Sequence, residues 1–227
     1  MTYLELVNAV LRRLREDTVT AVSANPYSLL MGDFVNDAKK FVDDSWDWSM
    51  QRQGNPQVEV VSGLSSLVLP SSGEAPKIQS IQIGHLSDGG SFIADNFLAY
   101  IDQVTMTRYL TETNPTPVGR PQYYSLDGLV SNSDRNTKIS VYPITDQTYY
   151  LNIELFTGQA DLVNDLDVLE VPSRPVIYMA AALAARERGE TGGTSSAELG
   201  AMANAYLSDA IARDANNRPE ALIYRAV

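Results

Sequence analysis

Near its start the chain carries TYLELVNAVLRRLRE (residues 2–16). This stretch decides the fold because its pattern predicts an amphipathic helix with a recognisable N-terminal cap. Thr2 followed by Glu5 fits a capping box, in which a hydroxyl and a carboxylate each accept a backbone N–H at the helix start. Four apolar residues at helical spacing form one stripe, namely Leu4, Val7, Leu11 and Leu14. A helix with such a stripe must bury it against a partner.

Three further amphipathic patterns supply the partners, one beside the first and two near the other end of the chain. Asn25-Pro26 is typical of an N-cap followed by proline at the first helical position, and this helix runs to about residue 46. Two more helices are predicted at 173–188, with Ser173 as the N-cap, and at 195–216. Because the nearest apolar partners of these helices are each other, we predict a bundle built from both ends of the chain.

The middle of the chain changes to the period-two alternation of β-strands, punctuated by proline and glycine. Residues 58–60 and 67–69 are predicted as a hairpin, and residues 138–142 and 149–156 as a second antiparallel pair. Shorter elements are predicted at 78–83 and 122–126 as strands and at 102–110 as a helix capped by Asp102.

These patterns predict an α+β protein: a helical bundle formed by the N- and C-terminal helices, with an inserted antiparallel β-sandwich or barrel-like domain. The predicted boundaries place the bundle in residues 1–53 and 172–217 and the β domain in 54–171. Residues 218–227 form a C-terminal tail.

The formal net charge is −11, because 28 acidic residues outweigh 17 lysines and arginines. A protein of this charge repels phosphate backbones on average, so we expect no sequence-specific binding of DNA or RNA. The chain has no cysteine, which excludes disulfides, thiolate nucleophiles and thiolate metal sites. We expect neither a signal peptide nor a membrane span, since no apolar run approaches ~20 residues.

No catalytic, cofactor-binding or metal-binding motif is predicted, so an enzyme is not expected. His85 is the only histidine and is interpreted as an ordinary loop or strand-end residue. The aspartates within 43–47 are interpreted as a solvated helix face. Those within 161–167 lack the turn glycine and distal glutamate of an EF-hand, and a structural cation there is the less favoured alternative.

Two small groups of residues are the candidate interaction sites. Trp46 and Trp48 are the only tryptophans, and they are predicted to fill the junction between the bundle and the β domain. A ligand-stacking pair is the alternative. Arg12, Arg13 and Arg15 are predicted to form ion pairs between subunits rather than to bind phosphate, because the protein as a whole is acidic.

Several strings resemble head-to-tail adaptor proteins of short-tailed, T7-like bacteriophages, also called tail tubular protein A or gatekeeper-type proteins. The strings are MTYLELVN (1–8), FVNDAKK (34–40) running into WDW (46–48), VPSRPVI (171–177) and ARERGETGG (185–193). The resemblance covers both helical ends, and it extends to the middle of the chain only through the architecture.

The resemblance implies a structural virion protein without a cofactor, which forms a head–tail connector ring of about twelve copies on the portal protein. The ring joins the portal to the tail nozzle protein and extends a channel through which double-stranded DNA passes without sequence-specific binding. The protein is expected at the portal vertex of the virion, in the host cytoplasm during assembly, and not in a membrane. The residues expected at subunit or portal contacts are Arg12, Arg15, Leu222, Ile223 and Tyr224.

Two other functions stay open from the sequence. One is a glycan- or receptor-binding β-sandwich module, which needs an exposed aromatic platform such as Trp46 with Trp48. The other is a different portal or nozzle subunit of the same tail. For the tail at 218–227, packing on its own subunit is the alternative to docking on the portal.

Overall fold

The computed structural model describes residues 1–53, 56–69, 76–87, 89–112, 115–129, 136–189 and 196–216. Within these ranges the chain forms five α-helices and nine β-strands, so the predicted α+β class is confirmed. Its contacts divide the chain into two compact units. Met1–Gln51 with Asp161–Val227 is called the helical unit, and Arg52–Ala160 is called the β unit.

The helices begin largely where the sequence predicts. Those of the helical unit are α1 (Tyr3–Arg13), α2 (Pro26–Ser45), α4 (Ser173–Glu187) and α5 (Ser196–Asn216), with 3-10 turns at Val22–Ala24 and Ser49–Gln51. The capping box is present: the Thr2 hydroxyl accepts the Glu5 N–H at 3.3 Å, and the Glu5 carboxylate accepts the Thr2 N–H at 3.0 Å. Asn25 caps α2 as predicted. Ser173 as an N-cap is wrong, because Pro172 holds that position and residue 173 is already helical.

One apolar core holds the helical unit together. Helix α4 packs against α1, α2 and α5, and its many alanines allow their backbones to approach closely. Fully buried residues from three helices meet there, namely Leu6, Val7, Val10, Met31, Val35, Ala38, Val176, Ala180 and Ala184.

Residues 161–171, which the sequence analysis grouped with the β domain, pack with the helices. Leu162, Leu169 and Val171 are buried in the helical core. The segment also pairs with the start of α1, through a β-bridge between Thr2 and Val168. Leu162, Leu169 and Val171 face the helices because these backbone bonds hold the segment beside α1.

The β unit contains two sheets that share one core. Its elements are β1 (Arg52–Gln53), β2 (Gln57–Val60), β3 (Ser66–Leu69), β4 (Lys77–Leu86), β5 (Phe92–Phe97), β6 (Ala99–Tyr100), α3 (Gln103–Glu112), β7 (Tyr123–Leu129), β8 (Thr137–Tyr142) and β9 (Tyr149–Phe156). One sheet has the order β1-β9-β4-β5, with β2 also paired to β9, and the other has the order β3-β8-β7-β6. All pairings are antiparallel except that of β6 with β7.

Both predicted strand pairs are wrong, because the chain changes sheets at each predicted turn. Strand β2 pairs with β9 whereas β3 pairs with β8, so neither β2–β3 nor β8–β9 is a hairpin. The apolar residues of the alternating pattern are nevertheless buried, and Ile139, Val141, Leu151 and Ile153 are fully enclosed. Alternation in a sequence identifies the buried face of a strand and does not identify its neighbour.

The two loops that change sheets are bonded to each other through Thr145. Its buried hydroxyl donates to the Val61 carbonyl at 2.8 Å, and its own carbonyl accepts the Gly63 N–H at 2.7 Å. Gly63 has φ +82°, a left-handed conformation that favours glycine. The predicted helix at 102–110 is confirmed as α3, where the Thr105 N–H donates to Asp102 at 2.8 Å.

Candidate interaction surfaces of the helical unit

The residues considered for chemistry have ordinary structural surroundings. His85 lies on β4, half exposed, with Nδ1 3.4 Å from Oδ2 of Asp95. Among the described residues, no group of histidines and carboxylates has an arrangement that could hold a metal ion. No helix in the described ranges is long and apolar enough to cross a membrane.

The connection from β9 to α4 presents three large aliphatic side chains to solvent. Val163, Leu166 and Val168 are 75%, 81% and 59% exposed, and they lie within five residues of one another. We call residues 161–171 the β9–α4 loop. Clustered apolar side chains on a protein surface are typical of sites that contact another macromolecule.

This loop is ordered by hydrogen bonds to its own aspartates and to α1. One carboxylate oxygen of Asp167 accepts the N–H groups of Val163 at 2.8 Å and Asn164 at 2.7 Å. These backbone bonds, that of Asn164 first, lower the pKa of Asp167. The Tyr3 N–H donates to the Asp167 carbonyl at 2.8 Å, and the Leu169 N–H donates to Met1 at 3.0 Å. These bonds hold the backbone of the loop beside α1.

A groove of about 360 Å³ lies where the N-terminus of α4 meets the C-terminal part of α5. Its apolar walls are Trp48, Met50, Pro172, Pro175, Tyr206 and Ala210. Its polar lining consists of Ser173, Arg174, Asp209, Arg213 and Asp214. Asp214 is engaged within the unit, because its carboxylate accepts the Trp46 indole N–H at 2.8 Å and the Ser49 N–H at 3.2 Å.

Arginine and tyrosine side chains stack in a row across α1, α4 and α5. The Arg13 guanidinium lies 4.5 Å from the Tyr178 ring centre, Tyr178 lies 4.9 Å from Tyr206, and Arg174 lies 5.7 Å from Tyr206. The hydrogen bond from Arg13, supported by one from Tyr206, lowers the pKa of Tyr178. Tyrosine and arginine are enriched at protein interfaces, and Tyr206 with Arg174 connects this row to the groove.

The predicted interface arginines lie at the end of α1 and are exposed. Arg15 has φ +59°. Within the described part of the chain, neither Arg12 nor Arg15 forms an ion pair. Arg13, which the sequence analysis grouped with them, instead stacks on Tyr178. The three other predicted contact residues, Leu222, Ile223 and Tyr224, lie outside the described residues.

The two tryptophans make hydrogen bonds within the helical unit. Trp48 is only 2% exposed, and its indole N–H donates to the Val42 carbonyl at 2.9 Å. Trp46 is half-buried and bonds Asp214 of α5. A glycan platform needs two accessible ring faces, so the burial of Trp48 argues against the ligand-stacking alternative. Their role at the junction with the β unit stays a prediction.

A charged cluster that the sequence analysis did not identify contains two buried residues of α2, Lys39 and Asp43. The expectation that Asp43 lies on a solvated helix face is therefore wrong. Nζ of Lys39 lies 3.7 Å from Asp43 and 4.0 Å from Asp161, and the Gln51 amide donates to Asp43 at 2.7 Å. Gln51 and Asp161 are the residues at which the chain leaves and re-enters the helical unit. The cluster therefore holds both of these residues against α2.

The family model described as SU10 adaptor protein matches residues 1–222. The chain belongs to the SU10 adaptor protein family. The predicted resemblance to phage head-to-tail adaptors is thereby confirmed at the level of a structural phage adaptor, and the family is not an enzyme class. Membership implies a virion component at the portal vertex that associates with portal and tail proteins. No curated protein matches the chain.

Proposed function

We propose that copies of this chain assemble into a ring that joins the portal protein to the tail nozzle and extends the DNA channel. The observation that carries the proposal is the match to the adaptor family over residues 1–222, which takes in both units. In this proposal the helical units pack side by side around the ring, and each carries an inserted β-sandwich-like unit. The proposed virus is a short-tailed, T7-like bacteriophage.

The charge of the chain fits a channel through which DNA slides. Each copy carries a formal net charge of −11. A ring of twelve copies would carry roughly −130 charges, and the share that faces the lumen repels the phosphate backbone. Double-stranded DNA would then pass without sequence-specific binding.

The residue-level part of the proposal uses the ends of the helical unit. The exposed arginines Arg12 and Arg15 would contact neighbouring subunits. Leu222, Ile223 and Tyr224 would contact the portal. Trp46 and Trp48 would brace the helical unit where the chain enters the β unit.

Mass photometry of the purified protein, alone and mixed with the portal complex of the same virus, tests the proposal. We expect the portal particle to gain about twelve subunit masses, as a closed ring of defined symmetry requires. Adding the nozzle protein should then increase the mass of the portal–adaptor particle and leave the portal alone unchanged.

Two results would contradict this function. One is the absence of any mass gain on a portal preparation that is shown to be intact and to package DNA. The other is direct binding of the nozzle protein to a portal that carries no adaptor. The portal particle without additions and an unrelated acidic protein of similar size serve as controls.

A further inference from the structure

We propose that Leu222, Ile223 and Tyr224 of the C-terminal tail fill the groove between α4 and α5 of their own chain while the chain is free. The groove is the one described above, and we call it the α4–α5 groove. The proposed function places the same three residues on the portal, so the inference adds where they lie before assembly. It stands whether or not the tail later contacts the portal.

The groove lies beside the end of α5, close to the point where the tail begins. Arg213 and Asp214, in the last turn of α5, line the groove, and the helix ends at Asn216. Leu222 follows Asn216 by six positions, which span roughly 20 Å when the chain is extended. The helix from Tyr206 to Asn216 is only about 15 Å long. Leu222 can therefore reach every part of the groove that α5 lines.

The apolar part of the tail matches the apolar walls of the groove. The walls include Trp48 and also Met50, which is 75% exposed with respect to the described part of the chain. Leu222, Ile223 and Tyr224 form a run of three large side chains with small or charged residues on both sides. The groove volume of about 360 Å³ falls within the range of pockets that enclose a ligand, roughly 300–1,000 Å³. Docking would remove apolar surface of both the run and the groove from water.

The charges of the groove favour an apolar occupant over a charged one. Among the lining residues, Arg174 and Arg213 are balanced by Asp209 and Asp214. A groove without net charge does not select an acidic or a basic partner by long-range attraction. The run at 222–224 carries no charge, so apolar contact alone decides its fit.

The covalent connection favours the tail of the same chain over that of a second copy. Two sites joined by a short stretch of chain meet at an effective concentration on the order of millimolar. Another copy, at the micromolar concentrations of a purified protein, competes poorly for the same groove. A separate molecule also loses translational and rotational freedom when it docks, and a tethered segment has lost most of it already.

A pair of introduced cysteines tests the docking, because the native chain has no cysteine. One variant combines Ala210→Cys in the groove with Ile223→Cys in the tail. The matched control combines Ala212→Cys with Ile223→Cys. Ala212 is exposed on α5, lies away from the groove lining and is closer to the tail in sequence. Both proteins are oxidised mildly as dilute free chains, and mass spectrometry follows the intrachain disulfide.

We expect the disulfide between positions 210 and 223 to form at least about tenfold faster than that between 212 and 223. Docking holds the first pair near the Cα separation of about 7 Å or less that a disulfide requires. A tail that does not dock would react at position 212 at least as fast, so equal rates would overturn the inference. A covalent dimer in a mixture of the single variants Ala210→Cys and Ile223→Cys would also overturn it, because the tail would then fill the groove of another copy.

Methionine oxidation tests the docking without a covalent link. Met50 lines the groove, whereas Met202 is 45% exposed on α5 outside it. Dilute hydrogen peroxide converts accessible methionines to the sulfoxide, which peptide mass spectrometry detects. We expect the double substitution Leu222→Ser with Ile223→Ser to speed the oxidation of Met50 several-fold and to leave that of Met202 unchanged. An unchanged rate at Met50 would overturn the inference.

Both experiments use the free chain, so they separate this inference from the proposed function. If the tail fails to dock, the expected mass gain on the portal is unaffected. If the portal gains no mass, the proposed function fails and the occupant of the groove is still decided by the two rates.

Discussion

The hydroxyl of Tyr3 lies against the backbone of Gly32, at the place where any larger side chain on α2 would begin. A methyl group at position 32 would also lie 3.1 Å from Cγ1 of Val22. Glycine inside a helix lowers helix stability, so its presence here is explained by the close approach of α1 to α2. The contact fixes how deeply the first helix packs on the second.

We predict that Gly32→Ala destabilises the helical unit by about 1–3 kcal/mol, because the buried Tyr3 ring must shift to admit the methyl group. Gly200 is the matched control: it lies inside α5, and a side chain there would meet nothing within 4 Å. Gly200→Ala should therefore stabilise the chain by up to about 1 kcal/mol through helix propensity. Urea denaturation followed by circular dichroism measures both. Equal stability of the two variants would refute the packing argument.

Tyr3 also makes stability depend on alkaline pH. Burial above all, and then the nearby Asp33, Asp161 and Asp165, raises the pKa of Tyr3 from 10.0 to about 12. The folded state thus holds the phenolic proton more tightly than the unfolded state. This stabilisation is fully present below pH 10 and is lost as the pH rises through about 12.

We therefore expect the free energy of unfolding to fall between about pH 10 and pH 12, and to fall less steeply in Tyr3→Phe. The variant comparison is needed because burial also raises the pKa of Tyr124 and Tyr149. Urea titrations at several pH values in this window measure the slopes. Parallel slopes for the two proteins would show that Tyr3 ionises as readily folded as unfolded.

Lys39 and Lys40 are adjacent lysines with opposite surroundings. The Lys39 side chain is fully buried beside Asp43, whereas that of Lys40 is 45% exposed in an ion pair with Asp161. We predict that Lys39→Met costs about 3 kcal/mol of stability, since it leaves the buried Asp43 carboxylate without its cation. Lys40→Met should change stability by no more than about 0.5 kcal/mol.

Chemical denaturation of both lysine variants checks this difference. Hydrogen exchange adds a local readout, because the Gln51 side chain bonds the same carboxylate. The backbone N–H of Gln51, which donates to the Trp48 carbonyl at 2.9 Å, should lose protection in Lys39→Met alone. Similar stability of the two variants would mean that the cluster relaxes or takes up water when Lys39 is lost.

Arg15 occupies a backbone conformation that favours glycine. Helix α1 ends in a Schellman motif: the Arg15 N–H donates to Arg12 at 3.3 Å and the Glu16 N–H donates to Leu11 at 3.0 Å. Arg15 has φ +59° at the position where glycine is usual. We predict that Arg15→Gly stabilises the isolated chain by roughly 1 kcal/mol.

The matched control is Arg12→Gly, which places glycine inside the last turn of α1 and should cost about 1 kcal/mol. Thermal denaturation of the isolated chains separates the two effects. If Arg15→Gly is stabilising and yet weakens assembly on the portal, the arginine is retained for its contact. A destabilising Arg15→Gly would show that the side chain itself supports the fold.

The structural features that the sequence predicted correctly depend on residues that lie close together in the chain. The caps formed by Thr2 and Asn25 were predictable because each acts within three residues of itself. The buried faces of β8 and β9 followed from alternation. Strands β5 and β6 were missed; all six β5 residues are exposed or partly exposed, and β6 spans two residues. The spacing of Lys39 and Asp43 is local, but the burial of Lys39 could not be predicted, because its second partner Asp161 lies 122 positions away in the chain.

The sequence by itself determined the α+β class, the capped starts of α1 and α2, the buried strand faces and the likeness to phage adaptors. Each of these depends on neighbouring residues or on a recognisable string. Tertiary structure alone decided the strand partners, the burial of Lys39, and the backbone hydrogen bonds between the β9–α4 loop and the start of α1. It also decided that residues from α4 and α5 line one groove. These features arise from contacts between segments far apart in the chain, and their free energy depends on the space that other segments leave.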